Sequence, residues 1–390
     1  MTPDAFLARA VALGPILRER ALACEQARRL PAETITDFTE AGFFEMLKPL
    51  RSGGAELDPL AFMRICTETG RHCGSSAWVL AILGIHTWRL ALFPDQAGDD
   101  VWSGDGGLSP LIAASTPPSG KAARVAGGFR ISGRWPFASG VDHCGWALLA
   151  ARVPVGTAGR TTLQYLFLVP RSDFRIEDTW HVSGLKGTGT NTIVVEDAFV
   201  PDHRASSEAD TARLRRDPAC SNSGTTYRYP WGLMLAYAIA APAIGMARAA
   251  LDHYIDFVRA RLGDADPDGP GNPHAHIRIA RSRTTLDVVE ARFAGNLEAL
   301  RLAIEAPEGP SIDLRARCRW EASWMVACCA DEIRAIFEAM GAGAIFEQHP
   351  VQRLFRDIHA LKAHRINDTE STGENFGRLQ VGLANREFFL

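Results

Sequence analysis

The sequence predicts an α+β protein in which a β-rich middle separates two helical segments. Residues 1 to about 110 are built from helix formers punctuated by Pro and Gly. Past residue 110, short β-branched and aromatic runs alternate with glycine turns, and from Trp231 onward the apolar residues step by three and four. The expected organisation is an N-terminal helical domain over 1–110, a central antiparallel β-barrel or sandwich over 111–205, a linker or active-site loop over 206–230, and a C-terminal four-helix bundle over 231–390.

In the first segment, Ile16 to Arg29 is rich in Ala, Leu, Arg and Glu. It is expected to start at Gly14-Pro15 and to break at Pro31. Ala32 to Ala41 follows as a second helix, with Gly42 as its left-handed cap. Leu60 to Thr69 and Ala77 to Phe93 complete the helices, the latter carrying His86 and Trp88. His86 reads equally as packed core or as the wall of a pocket. The β-rich segment opens on Ala123 to Ala126, Gly127-Gly128 and Phe129 to Gly133, a hairpin signature. Gly145 to Arg152, Leu163 to Val169, Phe174 to Trp180 and Thr192 to Val200 follow at sandwich spacing. Residues 201 to 230 are polar and irregular, and loops of such length are often functional. The bundle helices are read from four stripes. They run through Ala238 to Val258, Leu286 to Ile304, Trp320 to Met340 and Val351 to Arg365.

Composition narrows the function. A hydrophobic share of 46% and a charged share of 22% are those of an ordinary globular chain, so a large core is expected. No apolar run of about 18 residues is identified, so no membrane span is expected. Met1-Thr2-Pro3-Asp4 lacks the basic-then-apolar pattern of a secretion signal. A net charge of −3 without a long basic block argues against a nucleic-acid partner. The eight cysteines form no CxxC pair, which reads as reduced thiols in a cytoplasmic protein rather than disulfides or a zinc site. No metal site is expected. The glycines at 184, 187 and 189 do not form a GxGxxG fingerprint after a strand, so a nicotinamide-binding unit is not expected either.

The most suggestive stretch is Gly341-Ala342-Gly343, followed by the helix with Arg356-Asp357 and His364. Leu354, Phe355, Ile358 and Leu361 form one stripe, and His364 stands three residues further on, extending it. The glycines would let backbone approach a planar ligand closely. An ionisable group on an apolar face beside such a turn is either a catalytic residue or a core histidine satisfied by one hydrogen bond; the spacing fits both.

Several segments sharpen the picture. Ile131-Ser132-Gly133-Arg134-Trp135-Pro136-Phe137-Ala138-Ser139-Gly140, Asp178-Thr179-Trp180 with Gly184-Leu185-Lys186-Gly187-Thr188-Gly189-Thr190, and Asp197-Ala198-Phe199-Val200-Pro201 resemble the β-domain of the acyl-CoA dehydrogenase superfamily. Cys73-Gly74-Ser75-Ser76-Ala77-Trp78 and Gln352-Arg353-Leu354-Phe355-Arg356-Asp357 with His364 resemble its two-component flavin-dependent monooxygenase branch, which includes the oxygenase component of p-hydroxyphenylacetate hydroxylase. In many dehydrogenases of the superfamily a glutamate after this helix removes the substrate proton. Here the corresponding stretch, Ala363-His364-Arg365-Ile366-Asn367, offers an arginine, which cannot act as that base. An FAD-dependent acyl-CoA dehydrogenase or oxidase is therefore the second reading.

The resemblance implies an acyl-CoA dehydrogenase-like fold and a homotetramer. It also implies a reduced flavin, FMN or FAD, supplied by a separate NAD(P)H:flavin reductase, and O2 as co-substrate. The activity implied is hydroxylation of an aromatic or other electron-rich small molecule through a flavin 4a-hydroperoxide. It assigns Ser139 to flavin nitrogen 5 and Phe137 and Gly140 to the flavin edge. His364 would lie against the flavin, supplying a proton or a positive field. Ala114, Ser115, Thr116, Gly341, Ala342 and Gly343 would be further flavin contacts, and Arg261 would reach a flavin phosphate across a subunit interface. His86 and Arg228 would serve the substrate side.

Overall fold

A computed structural model describes residues 1–104, 107, 109–155, 161–262, 271–388 and 390. The N-terminal segment contains α1 (Pro3–Ala27), α2 (Ala32–Glu40), α3 (Pro59–Gly70), α4 (Gly74–Leu90) and α5 (Asp95–Trp102). The Thr2 side chain caps α1 by accepting from the Ala5 N–H, and Arg28, at φ 55°, ends it. Contrary to the expected start at Gly14-Pro15, α1 runs straight through both residues. Its buried stripe of Phe6, Ala10, Gly14, Leu17, Ala21 and Cys24 is continuous across the proline, so packing along the whole helix outweighs one missing backbone bond. Every residue of α4 is buried, as befits a helix that is apolar on all sides.

The middle segment forms one seven-stranded sheet from β1 (Ile112–Val125), β2 (Gly128–Ala138), β3 (Trp146–Val155), β4 (Thr161–Pro170), β5 (Arg175–Glu177), β6 (Asn191–Pro201) and β7 (Ala205–Ser207). Its order is β5-β6-β2-β1-β3-β4-β7, with the expected β1–β2 hairpin pairing Val125 with Gly128. The sheet is mixed rather than wholly antiparallel, because β1 and β3 run parallel. The chain reverses over Gly140 to Gly145, so β3 runs opposite to β2; lying on the far edge of β1, it must run the same way as β1. Both faces of the central strands are buried. Ala113, Ala147, Leu149 and Phe167 face the main core, while Ile112, Ala114, Leu148 and Leu166 pack with Leu90, Phe93 and Val101 of α4, α5 and the turn between them.

The loop after β7 holds the short helix α6 (Glu208–Ala212) and a 3-10 turn at Thr225–Arg228. Beyond it come α7 (Trp231–Leu262), α8 (Pro273–Glu305), α9 (Ile312–Met340), α10 (Pro350–Lys362) and α11 (Thr369–Gln380). The expectation that no segment is long and apolar enough to cross a membrane is corrected by α7. Its most apolar stretch has a mean hydropathy of 1.5, but 94% of that stretch is buried inside the protein. It is the core helix against which α3, α4, α8, α9 and α10 pack.

The α3–α7 contact is made at glycines. A Cβ on Gly245 would stand 2.1 Å from the Thr67 carbonyl oxygen, and one on Gly70 2.8 Å from that of Pro242. Backbone oxygens cannot swing aside, so Gly245→Ala must push the two helices apart. We expect it to destabilise the fold by about 1–3 kcal/mol, the range for overpacking, seen as a lower melting temperature. An unchanged melt would mean that α3 and α7 slide without cost.

Candidate active site

The site is assembled from four distant pieces of chain: α4, the end of β2, the turn before β6, and the end of α10. Trp78 on α4 donates its indole N–H to Ser139 Oγ at 2.9 Å. Ser139 Oγ lies 2.9 Å from Thr190 Oγ1, which lies 2.6 Å from Thr188 Oγ1. Thr188 Oγ1 donates to the Leu185 carbonyl at 2.8 Å. All four side chains are buried, so water does not compete for these bonds. Gly140, at φ 68°, donates its N–H to the Thr188 carbonyl at 2.8 Å and closes the loop around Ser139.

Phe137, two residues before Ser139, has φ 67° and an exposed ring. A bulky residue in the left-handed region is strained, and the ladder register breaks here between Trp135 and Ala138. The break turns the ring outward, edge-on to Trp180 at 6.3 Å between ring centres. Ser115 is buried on β1 and donates to the Pro136 carbonyl at 2.6 Å, joining β1 to the same bulge. Ala114 points to the opposite face of the sheet, and Thr116 is half-buried where the β1–β3 register breaks.

His364 joins this cluster, although not as the last residue of a helix. Helix α10 ends at Lys362, because Asn367 Nδ2 caps the Leu361 carbonyl at 2.9 Å and His364 turns extended, with ψ 133°. Its ring packs on Trp78 at 5.8 Å between centres. His364 Nδ1 accepts the Ile366 N–H at 3.2 Å, so the neutral ring carries its proton on Nε2. Burial, helped by the Arg319 charge, lowers its pKa to about 4. At neutral pH the ring is therefore uncharged, which replaces the expected positive field with a single N–H donor.

Asp357 was visible in the sequence but its task was not. Its carboxylate is buried and accepts the Leu185 N–H at 2.6 Å. Leu185 is left-handed, at φ 52°, and opens the 3-10 turn that carries Thr188. Burial raises the Asp357 pKa to about 7, against the pull of the Leu185 hydrogen bond. Beside it, Arg356 Nη1 donates to Glu25 Oε1 at 2.5 Å and to the Ser183 carbonyl at 2.8 Å.

The remaining candidates lie elsewhere in the chain. Gly341, Ala342 and Gly343 form an exposed 3-10 turn ahead of α10, whereas His364 lies just past its other end, roughly 20 Å away at 1.5 Å per residue. Within one chain the glycine turn and His364 are therefore not neighbours. Arg261 is exposed near the C-terminal end of α7, its guanidinium stacked 4.2 Å over Phe257. His86 is buried; its Nδ1–H donates to the Ile112 carbonyl at 3.0 Å, and burial lowers its pKa to about 4. Arg228 lines a separate cavity of about 690 Å³ with Arg216, Tyr227, Tyr229 and Trp231. Trp231 stacks on Trp88 at 5.9 Å. Trp78, Thr188 and Thr190 were not expected as site residues; their only signal was that all three lie inside the family-like motifs. Among the described residues, no group of three or more His, Cys, Asp or Glu could hold a metal ion.

A buried serine with one oxygen lone pair to spare, a neutral imidazole N–H and an exposed aromatic edge fit a planar heterocycle with a hydrogen-bonding rim. The sequence matches the family models "Acyl-CoA dehydrogenase, N-terminal domain" over residues 7–98 and "Acyl-CoA dehydrogenase, C-terminal domain" over 237–369. Two helical regions with a sheet between them, bearing this site, define a protein of the acyl-CoA dehydrogenase architecture. The chain is 37% identical over 374 residues to the flavin-dependent monooxygenase oxygenase subunit HsaA of Rhodococcus jostii, covering 95% of this chain and 97% of that protein. It is 31% identical to the oxygenase component of an FADH(2)-dependent resorcinol hydroxylase of a Rhizobium strain, covering 97% of this chain and 94% of the relative. The crystal structure of the HsaA monooxygenase from M. tuberculosis superposes with a TM-score of 0.94 at 35% identity, covering all of both chains. The chain belongs to the oxygenase subunits of flavin-dependent monooxygenases, enzymes that use reduced flavin and O2.

Two pH effects follow, of opposite sign. The folded pKa of His364 lies below its unfolded value of about 6.5, so its contribution to stability is present above that pH and is lost as pH falls towards 4. His364→Asn should flatten this acid loss, and no His364 titration should shape the oxygen reaction between about pH 5 and 8. Asp357 is raised, so its contribution is complete below about pH 4 and is lost as pH rises through 7. Asp357→Asn should therefore gain in melting temperature relative to wild type as pH rises through that window. Parallel melting curves for wild type and variant would exclude either assignment.

Proposed function

We propose that this chain hydroxylates a small aromatic substrate, receiving reduced flavin from a separate NAD(P)H:flavin reductase. The observation that carries the reading is the Trp78–Ser139–His364 cluster, in which two neutral hydrogen-bonding groups from distant elements both touch Trp78, with the strained, outward-facing Phe137 two residues before Ser139. When bound, reduced flavin supplies the electrons that activate dioxygen. Ser139 and Gly140 hold the ring edge, Phe137 covers it, and His364 Nε2 donates a hydrogen bond where negative charge develops on oxygen. Burial of Trp78, Ser139, Thr188 and Thr190 keeps water from one side of the half-buried His364, which protects an oxygen-activating site from unproductive decay.

The substrate side is the cavity bearing Arg228, whose aromatic walls suit a ring and whose arginines suit a polar substituent. Among the described residues the Trp231 indole N–H, buried there, has no partner and offers a donor to a substrate oxygen. His86 does not line this cavity: its ring is held by the Ile112 carbonyl of β1, so it supports α4 rather than the substrate. Arg261 and the Gly341-Ala342-Gly343 turn serve the site of a neighbouring subunit in a homotetramer, which accounts for their exposure here. The exposed Ile345 and Phe346 beside that turn support this arrangement.

The test couples the purified protein to a generic flavin reductase, NADH and either FMN or FAD, under isotopically labelled dioxygen, with a panel of phenols. One labelled oxygen atom per product is expected. Flavin oxidation that never labels a product would overturn the hydroxylase reading. Arg228→Ala should raise KM about tenfold, one lost hydrogen bond to a charged group, with little change in kcat. His364→Ala should slow the reaction of reduced flavin with oxygen more than it weakens flavin binding. A light-scattering mass of one chain would refute the tetramer.

A further inference from the structure

We propose that Thr190 and Thr188 are positioning residues that fix the direction of the Ser139 hydroxyl, making Ser139 an acceptor towards flavin and so selecting the reduced cofactor. The inference rests on the reading that Ser139 faces flavin nitrogen 5. It follows from counting protons, since a hydroxyl carries one hydrogen and two lone pairs, an indole N–H only donates and a carbonyl only accepts.

The row of hydroxyls ends at Leu185 O, which can only accept and lies 2.8 Å from Thr188 Oγ1, so the single Thr188 proton is directed there. Two oxygens at that distance with no proton between them would repel. The 2.6 Å contact between Thr188 and Thr190 must then use the Thr190 proton. The 2.9 Å contact between Thr190 and Ser139 must in turn use the Ser139 proton. On its other side Ser139 accepts from Trp78 Nε1, which can do nothing but donate. Ser139 is left with one lone pair and no proton to offer. All four side chains are buried, so no water can reverse the order.

Reduced flavin carries an N–H at position 5, and oxidised flavin carries a bare lone pair there. An acceptor-only serine therefore bonds the first and repels the second. The relay converts a residue that could serve either redox state into one that serves a single state, with no charged group involved.

The test is equilibrium binding, independent of turnover. The full-length protein is titrated with oxidised FMN and FAD by fluorescence quenching, and anaerobically with the photoreduced forms. Wild type should bind the reduced form more tightly. Thr190→Val keeps the shape but removes the acceptor of the Ser139 proton, which then becomes free to donate to the oxidised nitrogen. The ratio of oxidised to reduced Kd should shrink by about tenfold, one hydrogen bond's worth. Thr188→Val frees the Thr190 proton to turn towards Ser139 and should shrink the ratio in the same direction; it carries the test if Thr190→Val melts early. Thr190→Ser, which restores the hydroxyl, should restore the ratio. A wild-type ratio in both valine variants, each melting like wild type, would overturn the relay. Ser139→Ala separates the two ideas: if it changes neither affinity, flavin does not lie against Ser139, and the placement fails before the relay is reached.

Discussion

The hydrogen bond between the Asp357 carboxylate and the Leu185 N–H is the contact on which the rest of the site depends. Leu185 is held in a left-handed conformation that a branched aliphatic residue adopts only under constraint, and the buried carboxylate supplies that constraint. The adjoining Gly184 fits only because it lacks a side chain, since a Cβ there would stand 2.1 Å from the Arg356 carbonyl oxygen. Turn and helix are thus locked back to back. From that lock the turn presents Thr188, then Thr190, and through them Ser139. Moving α10 would move the proton order of the hydroxyls with it.

Burying a carboxyl is costly, and the structure shows how the cost is contained. Burial lifts the Asp357 pKa to about 7, so the group is partly neutral under ordinary conditions rather than a full charge in a dry core. The neighbouring Arg356 directs its charge outside, to Glu25 of α1 and the Ser183 carbonyl. Helix α10 and the residues just past its end therefore tie three parts of the protein together: α1 through an ion pair, the β6 turn through a carboxylate, and α4 through the packing of His364 on Trp78.

Helical stripes were the most legible feature of the sequence, because an apolar residue at every third or fourth place is what a helix with one buried face requires; α8 and α10 follow theirs closely, whereas in α9 the buried face lies to one side of the tryptophans, through Cys318, Ala322, Cys329 and Ile336. Strand positions were legible from alternation, but the parallel pairing of β1 and β3 was not, since it depends on which edge of β1 the returning chain chooses. His364 was found by its spacing from Leu361, yet its tautomer and its low pKa come from Ile366, Arg319 and burial, none of which a stripe reveals. Gly341 and Gly343 show the limit of glycine as a signal. Glycine permits close approach, but it also permits a plain surface turn, and among the described residues nothing lies within 4 Å of where their side chains would be. Thr188 and Thr190 stood in plain view within the run Gly187-Thr188-Gly189-Thr190. Only their distances to one another and to Ser139 turn two ordinary threonines into an ordered pair.

A common physical choice runs through these residues. The site's inner groups are hydroxyls, an indole, a neutral imidazole and backbone; Asp357 is partly neutralised and Arg356 is paired with Glu25, while the buried Arg319 charge acts on His364 by keeping its ring neutral. In a dry pocket a fixed charge would favour one charge state of whatever binds, whatever its shape. Neutral donors and acceptors of fixed direction discriminate instead by where a ligand keeps its protons. That distinction matters for a cofactor whose redox states differ by an N–H on the ring edge. Such discrimination requires rigid supports, because a hydroxyl free to rotate accepts from one partner and donates to the next with equal ease. The rigidity here traces back through Thr188 and Leu185 to a single buried carboxylate on α10, which is why a residue that touches no ligand governs the direction of one that does.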